Sequence, residues 1–152
     1  MRKEFEIVVL ISIYINDSPS YLDEALLSIY SQTRLPEQVV LVCDGPVTNE
    51  LCIVVEKYSQ LFIDLGVEFT NPRLKVNSGL GVALKYGVKF CKKEYIVRMD
   101  SDDISLPSRL ANISAFIKNN PDVDVIGTFI EEFRVTPGDL KRLRKVVLEK
   151  GG

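Results

Sequence analysis

Residues 6–14, Glu-Ile-Val-Val-Leu-Ile-Ser-Ile-Tyr, form an almost unbroken apolar run of strand length. A strand reads this way when both of its faces are buried, as happens in the interior of a parallel sheet covered by helices. The segment that follows has the complementary period. Ser18-Pro19 supplies a capping hydroxyl and a proline at the first helical position, and Leu22, Ala25, Leu26, Ile29 and Tyr30 recur at helical spacing. A two-sided strand followed by an amphipathic helix is the repeating unit of an α/β fold.

The unit recurs along the chain. Val39–Cys43 is a second buried strand that ends at Asp44-Gly45-Pro46, and Thr48 caps a helix running to about Gln60. Val67-Glu68-Phe69 is a weaker strand candidate, and Leu74–Val76 is read as the third main strand. Asn77-Ser78-Gly79-Leu80-Gly81 turns into a helix over about 80–92, and Tyr95–Met99 is a strand running into Asp100-Ser101-Asp102-Asp103. Asp103 or Ser105 caps a further helix with Pro107 in its first turn, continuing to Asn119. Val123–Ile126, extended towards Ile130, is the last strand, and Thr136-Pro137-Gly138-Asp139 opens a final helix. The predicted order is β-α-β-α-β-α-β-α-β, a mostly parallel Rossmann-like sheet with helices on both faces. In such sheets ligands bind outside the carboxyl ends of the strands. Tyr14, Asp44, Asn77 and the acidic cluster all fall at those ends, on one rim.

Composition narrows the chemistry. The 152 residues contain no histidine, which removes imidazole acid–base catalysis, serine-type triads and His-ligated zinc together. Cys43, Cys52 and Cys91 are odd in number and lack a C-x-x-C spacing, so three free thiols in a reducing compartment are expected. A net charge of −2 gives no basic footprint for nucleic acid. No apolar run approaches the roughly 20 residues of a membrane-spanning helix. The basic stretch Lys141-Arg142-Leu143-Arg144-Lys145 reads as a solvated helix face.

Among the polar clusters, Asp100–Asp103 places three carboxylates in four residues, which repel unless a cation or hydrogen-bond donors neutralise them. Oxygen-only ligands suit Mg²⁺ or Mn²⁺. The competing reading is a helix cap. A calcium loop of the EF-hand type is excluded, because counting from Asp100 the sixth position is Ser105 and the twelfth is Ala111. Asp44-Gly45-Pro46 is by itself an ordinary turn, and Asn77-x-Gly79-x-Gly81 is by itself a weak phosphate signal. The segment after the first strand, Ser12–Asp17, lacks the glycines of a dinucleotide site, and no Walker lysine motif occurs. Arg98 and Arg109 flank the acids and are read as their structural partners.

Together these residues resemble a known family. Ser12-Ile13-Tyr14; Tyr21-Leu-x-Glu24-Ala-Leu-x-Ser28-Ile-x-x-Gln32-Thr33; Asp44-Gly45; Asn77-x-Gly79-Leu-Gly-x-Ala83; and Tyr95-Ile-x-Arg-Met-Asp100-Ser-Asp-Asp103-Ile-x-x-Pro107-x-Arg109 look like the family-two glycosyltransferases, inverting enzymes of the GT-A fold. The resemblance runs through residues 6–130. It implies a metal-dependent transferase that moves sugar from a nucleotide-diphospho-sugar, a UDP-sugar, to a carbohydrate or lipid-linked acceptor hydroxyl. It implies nucleotide contacts at Ile13, Tyr14, Asp44, Asn77, Asp100 and Ser101. Asp102, with Asp100, would hold Mn²⁺ or Mg²⁺ against the diphosphate, and Asp103 would cap the next helix or approach the sugar. Two segments depart from the family pattern: Ser12-Ile13-Tyr14-Ile15 replaces the usual Pro-Thr-Tyr-Asn, and Leu84-Lys85-Tyr86 replaces the usual Ala-Arg-Asn.

The expected organisation is a donor-binding domain over 1–133 and a C-terminal helix over 134–152 that begins an acceptor region. In this family the general base lies well downstream of the D-x-D motif, so the chain is expected to be a donor-binding fragment without a catalytic base of its own. Glu131 and Glu132 are not expected to fill that role. A cytoplasmic site, at the inner face of the membrane for the full-length protein, follows from the resemblance. Two alternatives stand beside it: a nucleotidyl- or phosphoryl-transferase on a similar sheet, and a non-catalytic module in which the acids are caps.

Overall fold

The computed structural model describes residues 5–127, 130–132 and 142–144. The chain forms two compact units, Met1–Asn112 and Ile113–Gly152. The first contains a four-stranded, all-parallel sheet in the order β3-β2-β1-β4, from β1 (Ile7–Ile13), β2 (Gln38–Cys43), β3 (Glu68–Thr70) and β4 (Tyr95–Asp100). Three helices lie between these strands: α1 (Pro19–Tyr30), α2 (Asn49–Asp64) and α3 (Leu80–Val88). A fourth, α4 (Arg109–Asn119), begins in this unit and runs into the second.

The central position of β1 explains its sequence. It pairs with β2 on one side and β4 on the other, and Ile7, Val8, Val9 and Ile11 are fully buried. On one face Val8, Leu10, Val40 and Val42 pack against Ala83 of α3. Helix and sheet approach closely there: a Cβ on Gly87 would lie 2.6 Å from Val42 Cγ2 and 2.7 Å from Leu10 Cδ1. On the other face Phe62 of α2 stacks on Phe69 of β3 at 6.1 Å, and Tyr30 of α1 meets Phe62 edge-on at 5.8 Å. Phe69 is in register with Val39, so α1 and α2 cover the face opposite α3. Each fully buried aliphatic side chain in these layers stabilises the fold by about 1.5–3 kcal/mol. Two of the expected N-caps form: Ser18 Oγ accepts the Tyr21 N–H at 3.3 Å, and Thr48 Oγ1 accepts the Leu51 N–H at 3.2 Å. The three cysteines are unbridged, and among the described residues no helix is long and apolar enough to cross a membrane.

Several element boundaries differ from the sequence reading. Leu74–Val76 is not a strand; the third strand is Glu68–Thr70, the weaker candidate. Pro72 has no N–H to donate to a ladder, and pairing beyond β3 shrinks to a single bridge between Cys43 and Arg73. Val76 is then 69% exposed, as a loop residue can be but a central strand residue cannot. The third helix ends at Val88 rather than near residue 92, and α4 starts at Arg109, after Pro107. In the second unit 123–126 is not a strand, and Val125 is 73% exposed. The strand pair there is antiparallel, β5 (Ile130–Glu132) with β6 (Arg142–Arg144). Arg142–Arg144 therefore stands as a strand within the segment read as a terminal helix; the predicted helix start at Thr136–Asp139 lies outside the described residues.

Candidate functional site

Three loops meet at the carboxyl edge of the sheet. The first leaves β1. Tyr14 donates its backbone N–H to Asp17 Oδ2 at 2.9 Å, and Asp17 returns its own N–H to the Tyr14 carbonyl at 3.1 Å, closing a compact turn before α1. Ile13 remains buried while Tyr14 is 40% exposed, so its ring is available to a ligand.

The second loop leaves β2. The Asp44 N–H donates to the Ile13 carbonyl at 2.8 Å, extending the β1–β2 ladder by one bond. The Asp44 carboxylate is buried, and each oxygen accepts one backbone N–H from the distant glycine-rich turn: Ser78 at 2.7 Å and Gly79 at 3.1 Å. Gly45 adopts φ 85°, and a Cβ there would sit 2.5 Å from the Asn77 nitrogen. Asn77 thus reaches the rim without a strand beneath it. Asp44 and Gly45 hold its turn in place.

The third loop leaves β4. Ser12 is in register with Asp100, which sets the acidic loop beside the end of β1. The loop closes on itself: the Asp100 N–H donates to Asp103 Oδ2 and the Asp103 N–H to the Asp100 carbonyl, both at 3.2 Å. Asp100, Asp102 and Asp103 can each offer one carboxylate oxygen, all within 4.8 Å of one another. These acids do not cap α4, which begins at Arg109 and whose Leu110 N–H is taken by Gln32 Oε1 at 3.1 Å. Three clustered hard oxygen donors fit Mg²⁺ or Mn²⁺. The Arg98–Asp100 pair, at 3.7 Å and exposed on both sides, is a weak surface contact.

A cavity of about 410 Å³ opens between the loops, within the size range of small-ligand sites. Ile13, Tyr14, Asp44, Asn77, Asp100, Ser101 and Asp102 all line it, so the residues expected to contact nucleotide or metal are brought to one place. Asp103 is not among its lining residues; its carboxylate closes the loop instead of capping the next helix. The structure adds Ser12, Asp17, Gly79 and Leu80 to the lining. Of these Asp17 carries charge. Its only sequence signal is its position three residues after Tyr14, the spacing of a side-chain-closed turn.

Burial pushes the Asp17 carboxyl above its ordinary range; the Tyr14 N–H and the Ser101 side chain oppose this, and the Asp102 and Asp100 charges add to it. Burial likewise raises Asp103, with the Asp100 N–H opposing, Asp100 and Asp102 adding and Arg109 opposing. Burial lowers the Arg109 guanidinium, and Asp103 offsets part of that. For a carboxyl raised in the fold, the favourable contribution to stability is complete below the unfolded pKa and is lost as pH rises through the folded pKa. Ionising these acids therefore carries a cost, which a bound cation would offset. Stabilisation by Mn²⁺ alone should be larger at about pH 7 than at about pH 4, where protonation competes. Melting temperatures with Mn²⁺ and with chelator at both pH values test this; an equal increment at both would count against carboxylate ligation.

A model of the family described as Glycosyl transferase family 2 matches residues 8–150. The chain is 41% identical over 138 residues to the Escherichia coli UDP-Gal:alpha-D-GlcNAc-diphosphoundecaprenol beta-1,3-galactosyltransferase, an alignment covering 91% of this chain and 48% of that protein. It is 36% identical over 125 residues to the amylovoran biosynthesis glycosyltransferase AmsE of Erwinia amylovora, covering 82% and 45% respectively. The chain thus spans about half the length of the curated relatives it matches. Among solved structures, S. aureus TarS 1–349 in complex with UDP superposes with a TM-score of 0.67 at 25% identity, covering 83% of this chain and 38% of that one. The mannosyltransferase PcManGT from Pyrobaculum calidifontis, in complex with GDP-Man and Mn²⁺, gives a TM-score of 0.64 at 22% identity over 76% and 33% of the chains, a likeness of fold alone. The parallel sheet with its helices on both faces is the α/β architecture of the GT-A glycosyltransferases, and with the family match spanning most of its length this chain belongs to glycosyl transferase family 2.

Proposed function

We propose that this chain forms the donor-binding part of an inverting, metal-dependent glycosyltransferase whose donor is a UDP-sugar. The observation that carries the reading is the meeting of Tyr14, Asp44, Asn77 and the Asp100–Asp102 carboxylates around one cavity of about 410 Å³. An aromatic ring and buried polar groups at one end suit a nucleobase, and carboxylates at the other suit a cation on a diphosphate. Asp102 and Asp100 would hold Mn²⁺ or Mg²⁺; when bound, the cation supplies charge stabilisation to the departing diphosphate. Tyr14 and the backbone of Ile13 place the base, Asp44 fixes the turn that carries Asn77, Asp100 faces the ribose or the cation's waters, and Ser101 lines the cavity beside it. Uridine is favoured because the 41%-identical relative is named for UDP-Gal and TarS was solved with UDP.

The same reading assigns a carbohydrate or lipid-linked hydroxyl as acceptor, in polysaccharide assembly at the cytoplasmic face of a membrane. Its support is the diphosphoundecaprenol and amylovoran in the relatives' names. The cavity's acids are committed to the turn and the cation, so the group that takes the acceptor's proton is assigned elsewhere in the protein. Thermal unfolding with UDP, with and without Mn²⁺, tests the core of the proposal. At a hundredfold excess over Kd, UDP with Mn²⁺ should add about 2.7 kcal/mol, or roughly 5–10 °C, and UDP in chelator distinctly less. The absence of a shift with any nucleotide, with or without metal, would sink the reading. A shift with UTP but not UDP would point to nucleotidyl transfer.

A further inference from the structure

Gln32 and Ser28 are buried polar residues at the C-terminal end of α1, and neither lines the cavity. Their hydrogen bonds run to one place. Ser28 Oγ accepts the Ser105 N–H at 3.0 Å and donates to the Ala25 carbonyl at 2.6 Å. Gln32 Nε2 donates to the Leu106 carbonyl at 2.7 Å and to the Ser28 carbonyl at 2.9 Å, while its Oε1 accepts the Leu110 N–H. The Thr33 N–H adds a bond to the Pro107 carbonyl at 2.9 Å. Residues 105–110 are the segment into which the acidic loop runs. Arg109 then ties that segment back to the loop's start, donating to Ser105 Oγ at 3.0 Å and to the Arg98 carbonyl at 3.2 Å. The loop therefore has two anchored ends: Arg98–Asp100 in the sheet, and Ser105–Leu110 on α1.

We propose that Gln32 and Ser28 are positioning residues for the Asp100 and Asp102 carboxylates, fixing from behind the loop that would hold the divalent cation. The inference rests on the donor-and-metal reading above. A buried amide that satisfies two carbonyls and one N–H has one orientation, and it transmits that orientation to the backbone it binds. The exposed acids repel one another, so the loop's geometry is held against that repulsion by its own Asp100–Asp103 closure together with its two anchored ends. α1 also begins directly after the Tyr14–Asp17 turn, so one rigid helix spans from the nucleoside side of the cavity to the far end of the acidic loop.

The test is the Kd of UDP for the 152-residue chain in Mn²⁺ and in chelator, for the wild type and for Gln32→Ala, Gln32→Glu and Ser28→Ala, each below its melting temperature. Supporting groups around a metal site typically change its affinity by about tenfold to a hundredfold. Gln32→Ala should weaken UDP by that factor in Mn²⁺ and leave the chelator value unchanged. Gln32→Glu keeps the acceptor for Leu110 but sets a carboxylate oxygen against the Leu106 and Ser28 carbonyls, so it should shift the same ratio at least as much; Ser28→Ala loses one acceptor and should shift it less. Should the Gln32 variants fail to fold, Ser28→Ala decides the matter. An unchanged Mn²⁺-to-chelator ratio in folded variants overturns the proposal, and so does an equal loss in both conditions, which marks a purely structural role. A wild type whose UDP affinity ignores Mn²⁺ overturns the donor-and-metal reading as well.

Discussion

Asp102→Asn is expected to abolish the Mn²⁺-dependent part of UDP binding while leaving the fold intact. The side chain is exposed and lines the cavity, and its isosteric amide removes one negative charge without changing its volume. A neutral oxygen is a much weaker partner for a divalent cation, and the loss should weaken UDP in Mn²⁺ by about two orders of magnitude, the scale found when a single preorganised charge-stabilising group is removed. Stability of the metal-free chain should stay within about 0.5 kcal/mol of wild type or rise slightly, because the substitution relieves repulsion from Asp100, Asp103 and Asp17. Calorimetric titration of UDP in Mn²⁺ and in chelator, with melting curves alongside, checks both halves. A variant that retained the full Mn²⁺ increment would remove Asp102 from the ligand set.

The largest effect on stability is expected at Gly45. Its φ of 85° lies in the left-handed region, where a side chain costs about 1–2 kcal/mol. A Cβ would also stand 2.5 Å from the Asn77 nitrogen, 3.0 Å from its Cα and 3.1 Å from the Val76 carbonyl carbon. These are backbone atoms, which cannot swing aside as a side-chain tip can, and forced overpacking adds about 1–3 kcal/mol. Gly45→Ala should therefore lose about 2–5 kcal/mol and roughly 5–15 °C of melting temperature. It should also displace the turn whose Ser78 and Gly79 N–H groups Asp44 holds, and weaken UDP at temperatures where the chain is still folded. Gly66→Ala is the control. It has φ 79° with nothing within 4 Å, so it pays the backbone strain alone and should leave UDP binding unchanged. Equal losses for the two variants would mean that the close approach at Gly45 is not what constrains it.

The sequence by itself determined the elements whose constraints are local or periodic. β1 and β2 are legible because strands buried on both faces must be apolar throughout, and α1 and α2 because their caps and inward stripes repeat every turn. The order of strands then placed Tyr14, Asp44 and Asp100–Asp102 on one edge, and the family pattern drew the same set together. Tertiary structure decided whatever depends on a partner far along the chain. Leu74-Lys75-Val76 looks like a strand, yet Pro72 and a pairing reduced to the single Cys43–Arg73 bridge leave it in a loop, while Phe69 gains a strand position by stacking on Phe62. Likewise Val123–Ile126 carries a strand-like pattern without a ladder, and the short pair Ile130–Glu132 with Arg142–Arg144 exists only through its pairing. The binding of Asp44 to Ser78 and Gly79 spans 34 and 35 residues, and the binding of Gln32 to Leu110 spans 78. Such hydrogen bonds leave no periodicity in a sequence, because burial of a polar side chain is favourable only where a particular distant N–H or carbonyl arrives to satisfy it. Local pattern thus specified where the acids stand, and the fold alone specified what holds them there.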